Sequence, residues 1–286
     1  MTSASRQSRY AVTSRGLWDQ RDDLSTLLGA EICLWPFCAP SSLDGFIGWG
    51  RRPSGLKAQR LSSAHGKPLI TLEDGFLKSY APGRGDPAHS FIIDRQGVYF
   101  DARHRNDLSD LIEKADAGAA GLSRAEAAMA FIRANSISKY NNSPLLGLSE
   151  AGVPSGRPYV LLVDQVAGDA SIAGALADDS AFARMVEHAH ASYPQAALIV
   201  RTHPAARNSL IIAAARKLGI DFVTPGRMNP WPLLENADAG YTVSSQLGFE
   251  ALMAGKIVHT FGVTYYSHRG LTEDHCAAPA VRPPTT

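Results

Sequence analysis

The sequence predicts an α/β protein made of two Rossmann-like halves, and three observations carry that expectation. After about residue 158, short apolar runs alternate with helical runs, the pattern of a parallel sheet with crossover helices. Polar residues collect just beyond those apolar runs, where such sheets bind ligands. A Gly-, Pro- and Ser-rich stretch at 143–158 separates this part from an earlier α/β part and reads as a linker.

Taken in order, the chain opens with a Ser-, Arg- and Thr-rich segment lacking an apolar core. Residues 1–29 therefore read as a flexible leader and not as a secretory signal. An N-terminal α/β domain is expected over 30–150. Its strands are Glu31–Pro36, Phe46–Gly50 and Pro68–Leu72, with helical character at Ser54–His65. Ser90–Asp94 and Gly97–Asp101 resemble a hairpin around Arg95-Gln96. Helices are expected at Leu108–Ala117 and at Ser123–Ser136, the latter opening on the capping box Ser123-Arg124-Ala125-Glu126.

The C-terminal α/β domain is expected over 151–274. Its strands are Tyr159–Val163, Ala196–Val200, Asp221–Val223, Tyr241–Val243 and Ile257–Phe261, with helices at Ser180–Tyr193, about Arg207–Leu218 and Trp231–Asn236. A further helical run follows Ser244-Ser245 and ends at Gly255. Residues 275–286 read as an irregular tail.

Composition removes several function classes. The 286 residues carry 28 basic against 27 acidic side chains, so no polyanion signal points to nucleic acid. Three cysteines, Cys33, Cys38 and Cys276, are too few and too dispersed for a disulfide framework, and a reduced state is expected. No apolar run approaches the roughly 18 residues that a membrane span requires. A cytoplasmic protein is expected, and four N-terminal arginines are too few to establish contact with anionic lipid.

Four clusters could carry chemistry. Glu73-Asp74 ends a strand before Gly75; the pair reads either as turn acids or as a general acid/base. Asp164-Gln165 ends a buried strand; the aspartate is either a helix cap or a nucleophile or ligand anchor. Arg201 and His203 follow another strand and alternate onto one side, where they could hold a phosphate or a carboxylate. Tyr241–Val243 delivers Ser244-Ser245 to a helix start, where the hydroxyls either cap the helix or bind a phosphate oxygen, with Glu250 further along within reach of a ribose. His188 and His190, at i and i+2, fall on different helix faces, and the other histidines show no ligand spacing, so no metal site is expected. Trp49 and Trp231 read as packing residues.

Seven stretches in order are Gly48-Trp49-Gly50, Leu72–Phe76, Asp94–Asp101, Ser138–Asn141, Val163–Gln165 with Gly168–Ile172, Arg201–Pro204 and Tyr241–Gly255. Together they resemble the capsule polysaccharide synthesis family of KpsC-type retaining β-Kdo (3-deoxy-D-manno-octulosonic acid) glycosyltransferases, as a single module. The resemblance implies a GT-B-like fold with a cleft between its halves, the first half on the acceptor side and the second binding the CMP-sugar. Because relatives continue beyond this chain's end, C-terminal closure is expected to be incomplete.

It further implies transfer of Kdo from CMP-Kdo, with retention, onto a lipid-linked oligosaccharide acceptor, with capsule assembly and export proteins as partners and a peripheral place at the inner membrane. Asp164 would be the nucleophile, and Glu73 the acid/base with Asp74 as the alternative. Arg201 and His203 would hold the CMP phosphate or the Kdo carboxylate, with Gln165 beside them. Ser244, Ser245 and Gln246 would meet the phosphate and Glu250 the ribose. No metal or cofactor is implied. The alternative reading is a non-catalytic glycolipid- or CMP-binding component of a capsule assembly complex.

Overall fold

The computed structural model describes residues 6–82, 86, 88–203 and 208–278. The chain divides into two compact units. One comprises 1–74, 91–99 and 105–111, the other 75–90, 100–104 and 112–286.

The first unit begins with β1 (Arg9–Val12), α1 (Arg15–Trp18), α2 (Arg21–Leu28) and β2 (Glu31–Leu34), and continues with β3 (Gly45–Trp49), α3 (Pro53–His65), β4 (Leu69–Asp74) and β5 (Phe91–Asp94). Its sheet runs β2-β1-β3-β4-β5, parallel except for the β4–β5 pair. This corrects the expectation of a flexible leader over 1–29. Tyr10 pairs with Ile32 on one side and Gly45 on the other, and Ala11 and Val12 are fully buried. Tyr10-Ala11-Val12 is too short an apolar run to stand out in a polar segment; burial by neighbours on both sides makes it a strand.

The helices of this unit end as their sequences dictate. Ser14 accepts a hydrogen bond from the Leu17 amide and caps α1. Gly29 and Gly66, both left-handed, close α2 and α3. The expected hairpin forms only in part. The Asp94 carboxylate accepts from the amides of Gln96 and Gly97, at 2.9 and 2.7 Å, and folds the chain into a tight turn. The second arm, 97–101, consequently never pairs as a strand, and β5 pairs with β4 instead.

After α4 (Asp107–Lys114) comes α5 (Gly118–Ala134), which starts five residues before Ser123. The alanine-rich run extends the helix upstream, so the Ser123 capping box lies inside it. Residues 112–150 belong to the second unit, not to the N-terminal domain expected over 30–150. Side chains of that unit hold them: Trp231 Nε1 donates to Ile137 O at 2.7 Å and Asn229 Nδ2 to Ser136 O at 2.8 Å. The segment 143–158 forms no helix or strand.

The second sheet is built from β6 (Tyr159–Val163), β7 (Ala197–Arg201), β8 (Ala239–Thr242), β9 (Ile257–Thr260) and β10 (Glu273–Asp274). Its helices are α6 (Ala170–Gly174), α7 (Asp179–Ser192), α8 (Leu210–Leu218), α9 (Trp231–Asn236) and α10 (Gln246–Met253). The order is β10-β9-β8-β6-β7 and every pairing is parallel. Val223, expected within a strand, makes a single parallel bridge to Ile199 at the sheet edge. The core packs Val160 and Leu162 of β6 and Tyr241 of β8 against Phe182, Met185 and Val186 of α7.

The chain leaves β6 for β7 on one side, then returns to place β8 on the other. The strand order therefore reverses between β6 and β8, and a crevice at such a point is where open α/β sheets bind ligands. The tail expected to be irregular from 275 starts with order: the His275 amide donates to Thr260 O at 2.8 Å, while 279–286 lie outside the described residues.

Candidate functional site

The register of the second sheet brings three expected clusters together. Val163 is opposite both Arg201 and Thr242, so these residues form one row at the C-terminal ends of β6, β7 and β8. Asp164 and Gln165 follow that row on β6, His203 follows it on β7, and Ser244 and Ser245 follow it on β8. The Asp164 amide still donates to Arg201 O, at 3.0 Å.

Gln165 spans the reversal point. Its Nε2 donates to Ser244 Oγ at 2.9 Å and to Ser171 Oγ at 3.2 Å, and its Oε1 accepts from the Ser244 amide at 2.9 Å. Ser244 and Ser171 are also linked hydroxyl to hydroxyl, at 3.3 Å. Ser245 caps α10: its hydroxyl accepts from the Leu247 amide at 3.2 Å, and its own amide donates to Thr242 Oγ1 at 3.0 Å. The two serines thus divide the work, Ser245 closing the helix and Ser244 facing Gln165.

Asp164 is 2% exposed, and neither carboxylate oxygen has a hydrogen-bond partner among the described residues. Burial pushes its pKa up. Ser209 and the amides of Leu210 and Ile211, at the start of α8, pull the other way without reaching hydrogen-bond geometry. A carboxylate stripped of water is a stronger nucleophile when ionised, and it is costly to keep unpaired.

Arg201 is half-buried and donates through Nη2 to Met228 O at 2.8 Å. Burial lowers its pKa, with Arg227 acting the same way and Glu250 opposing. His203 is pushed down by burial and then by Lys139, against the pull of Asp169. An imidazole so placed is neutral near pH 7, and the positive charge of the site rests on Arg201 and Lys139. The segment after His203, including Pro204, lies outside the described residues up to Asn208.

Glu250 is 3% exposed on α10 and accepts from Ser138 Oγ at 2.7 Å. Gln246 Nε2 donates to Phe76 O at 2.6 Å and approaches Glu250 Oε1 at 3.5 Å. Burial raises the Glu250 pKa to about 7, against hydrogen bonds from Ser138, Lys139 and Gln246. Gly248, on the same helix, is close-packed: a Cβ there would strike the Thr242 methyl and the Tyr266 hydroxyl, which donates to Ser245 O at 2.6 Å.

Glu73 and Asp74 end β4 in the first unit. The Glu73 carboxylate lies against the backbone of Gly50, whose φ is +38° and whose missing Cβ leaves it room. Gly75, in the second unit, is close-packed on Ser90, its amide donating to Ser90 O at 3.0 Å.

Three contributors were missed as site residues. Ser138 and Lys139 serve Glu250 and His203, and Ser171 joins Gln165 and Ser244. All lie in stretches whose resemblance was visible, Ser138–Asn141 and Gly168–Ile172, but neither a serine nor a lysine in a loop announces its partner. The histidines hold a second surprise. His188, read as a surface residue, is half-buried beside His259 and His275, residues 71 and 16 positions apart in sequence.

Comparison with known proteins agrees with this architecture. The capsule polysaccharide biosynthesis protein family matches residues 44–285. The capsule polysaccharide modification protein LipA of Neisseria meningitidis serogroup B is 37% identical over 238 residues, covering 81% of this chain and 34% of LipA. The lipopolysaccharide-processing protein LpsZ of Rhizobium meliloti is 33% identical over 247 residues, covering 82% of this chain and 54% of LpsZ. The chain thus spans about a third to a half of these relatives. Among solved structures, the β-Kdo 2,4 transferase of Thermosulfurimonas dismutans KpsC matches with a TM-score of 0.86 at 30% identity, over 98% of this chain and 88% of that one. The β-Kdo 2,7 transferase of the same KpsC shares the fold, with a TM-score of 0.70 at 19% identity over 98% of this chain and 87% of that one. The two Rossmann-like sheets are those of the GT-B type, and the chain belongs to the capsule polysaccharide biosynthesis protein family.

Proposed function

We propose that this chain transfers Kdo from CMP-Kdo, with retention of configuration, onto a lipid-linked acceptor in capsular polysaccharide biosynthesis. The observation that carries the reading is the meeting of Asp164, Arg201, His203 and Ser244 at adjacent strand ends around the β6–β8 reversal. Similarity to the 2,4 transferase supports the sugar.

The chemistry follows from these residues. Asp164, ionised, attacks the anomeric carbon and displaces CMP, forming a glycosyl-enzyme bond with inverted configuration. The acceptor hydroxyl loses its proton to a carboxylate, Glu73 or alternatively Asp74, and displaces Asp164 in a second inversion. Arg201 and Lys139 offset the phosphate charge, while neutral His203 donates a hydrogen bond. Ser244, oriented by Gln165, faces the phosphate together with the α10 start, which Ser245 caps and Gln246 opens. Glu250, with Ser138, takes the ribose. CMP leaves readily, so the base serves the acceptor hydroxyl.

Incubation with CMP-Kdo and a Kdo-terminated glycolipid tests the reading. Release of CMP with extension of the acceptor is expected, and UDP- or GDP-sugars should not replace the donor. CMP or glycolipid binding without turnover would instead make this a binding component.

A further inference from the structure

A second cluster lies apart from the strand ends, on the sheet face covered by α7. His188 comes from α7, His259 from β9 and His275 from the residue after β10. One ring nitrogen from each lies within 4.8 Å of the other two. His259 Nδ1 and His275 Nε2 are 3.0 Å apart. We propose that His188, His259 and His275 form a binding site for a divalent transition-metal ion, Zn²⁺ foremost.

Geometry favours this. Two nitrogens bound tetrahedrally at about 2.0–2.1 Å sit roughly 3.3 Å apart, close to the His259–His275 separation. Small side-chain rotations bring in the third ring. The other ring nitrogen of His188 is already engaged: Nδ1 meets the Tyr241 hydroxyl at 3.2 Å and the Ser192 hydroxyl at 3.4 Å, leaving Nε2 for the metal. Tyr241 stacks on His259 at 4.3 Å and Phe261 on His275 at 4.6 Å, fixing both rings.

Chemistry points the same way. Three imidazoles in contact are poor company when protonated. The cluster brings three ring nitrogens to one point, the kind of donor set that Zn²⁺ takes. His188 and His275 are only half-buried, which leaves a path for the ion and a fourth position for water. The site ties α7 to β9 and to the segment after β10, so its role is to fasten that edge of the sheet.

The test uses untagged protein stripped with chelator, titrated with Zn²⁺ and with Co²⁺. One equivalent should bind, raise the unfolding temperature and give the visible absorption of a tetrahedral Co²⁺ site. H188A and H275A should each weaken binding by at least about 100-fold, and Y241F by about 10-fold, since outer partners are worth roughly 10–100-fold. H190A, an exposed histidine on the same helix, should bind as the parent does. Far-UV circular dichroism in chelator confirms that each variant folds. No stoichiometric binding to the folded parent, or binding by H188A and H275A as tight as the parent's, would overturn the proposal.

Discussion

Ser138 Oγ donates to Oε2 of Glu250 at 2.7 Å, joining residues 112 positions apart in the interior of the second unit. The bond ties a loop to α10 through a carboxylate that has almost no access to water. Glu250 therefore gives the fold a pH dependence. Its folded pKa is about 7, above its ordinary 4.5, so between these values the folded state holds a proton that the unfolded chain has released. Stability from this group is full below about pH 4.5 and is lost as pH rises through 7. The shift corresponds to about 3 kcal/mol, at ~1.4 kcal/mol per pKa unit. Urea unfolding of the parent and of E250Q at pH 5 and pH 8 should show the gap between them narrowing or reversing as pH rises. A constant gap would exclude the effect.

Asp164→Asn separates chemistry from folding. The amide cannot act as the nucleophile, so transfer should fall by at least about 10³-fold. The buried carboxylate has no hydrogen-bond partner among the described residues, so its removal should leave the unfolding temperature unchanged or higher. Radiolabelled transfer and thermal unfolding on one preparation check both halves. Full transfer by the variant would sink the nucleophile assignment.

Gly50→Ala should displace the Glu73 carboxylate, because the new methyl would occupy its position and the backbone there has φ of +38°. Turnover should fall by about 10²-fold, the low end of what a general base contributes. CMP affinity by calorimetry should change little, since the residues assigned to CMP belong to the second unit. Equal losses in both would remove Glu73 from the chemistry.

Gly248→Ala forces the Tyr266 hydroxyl off Ser245 O and should loosen the α10 start, costing about 1–3 kcal/mol. Tyr266→Phe in the same chain removes the colliding oxygen. A double-mutant cycle by chemical denaturation should therefore show a coupling beyond about 0.5 kcal/mol in the favourable direction. Strict additivity would mean that the clash is relieved elsewhere.

Much of the second unit was legible because parallel strands are continuous apolar runs and their ends carry the polar residues. Trp231–Asn236 was read to the residue, and Asp164, Arg201 and Ser244 were each read as ending a strand. What local pattern cannot carry is company. Nothing near Ser138 names Glu250, nothing near Ser171 names Gln165, and three histidines on a helix, a strand and a tail share no spacing. The Asp94 turn failed for a related reason: a side chain captured two amides that a hairpin would have spent on pairing. The leader failed because β1 owes its conformation to strands on either side of it.

That position of β1 reaches back to synthesis. Arg9–Val12 is synthesised before both of the strands that flank it, β2 on one side and β3 on the other. A nascent chain that has exposed only residues up to 44 holds β1 with one edge open. The edge closes when Gly45–Trp49 emerges, and until then it offers its amides and carbonyls to any passing strand. A deletion that removes Arg9–Val12 acts on the interior of a sheet.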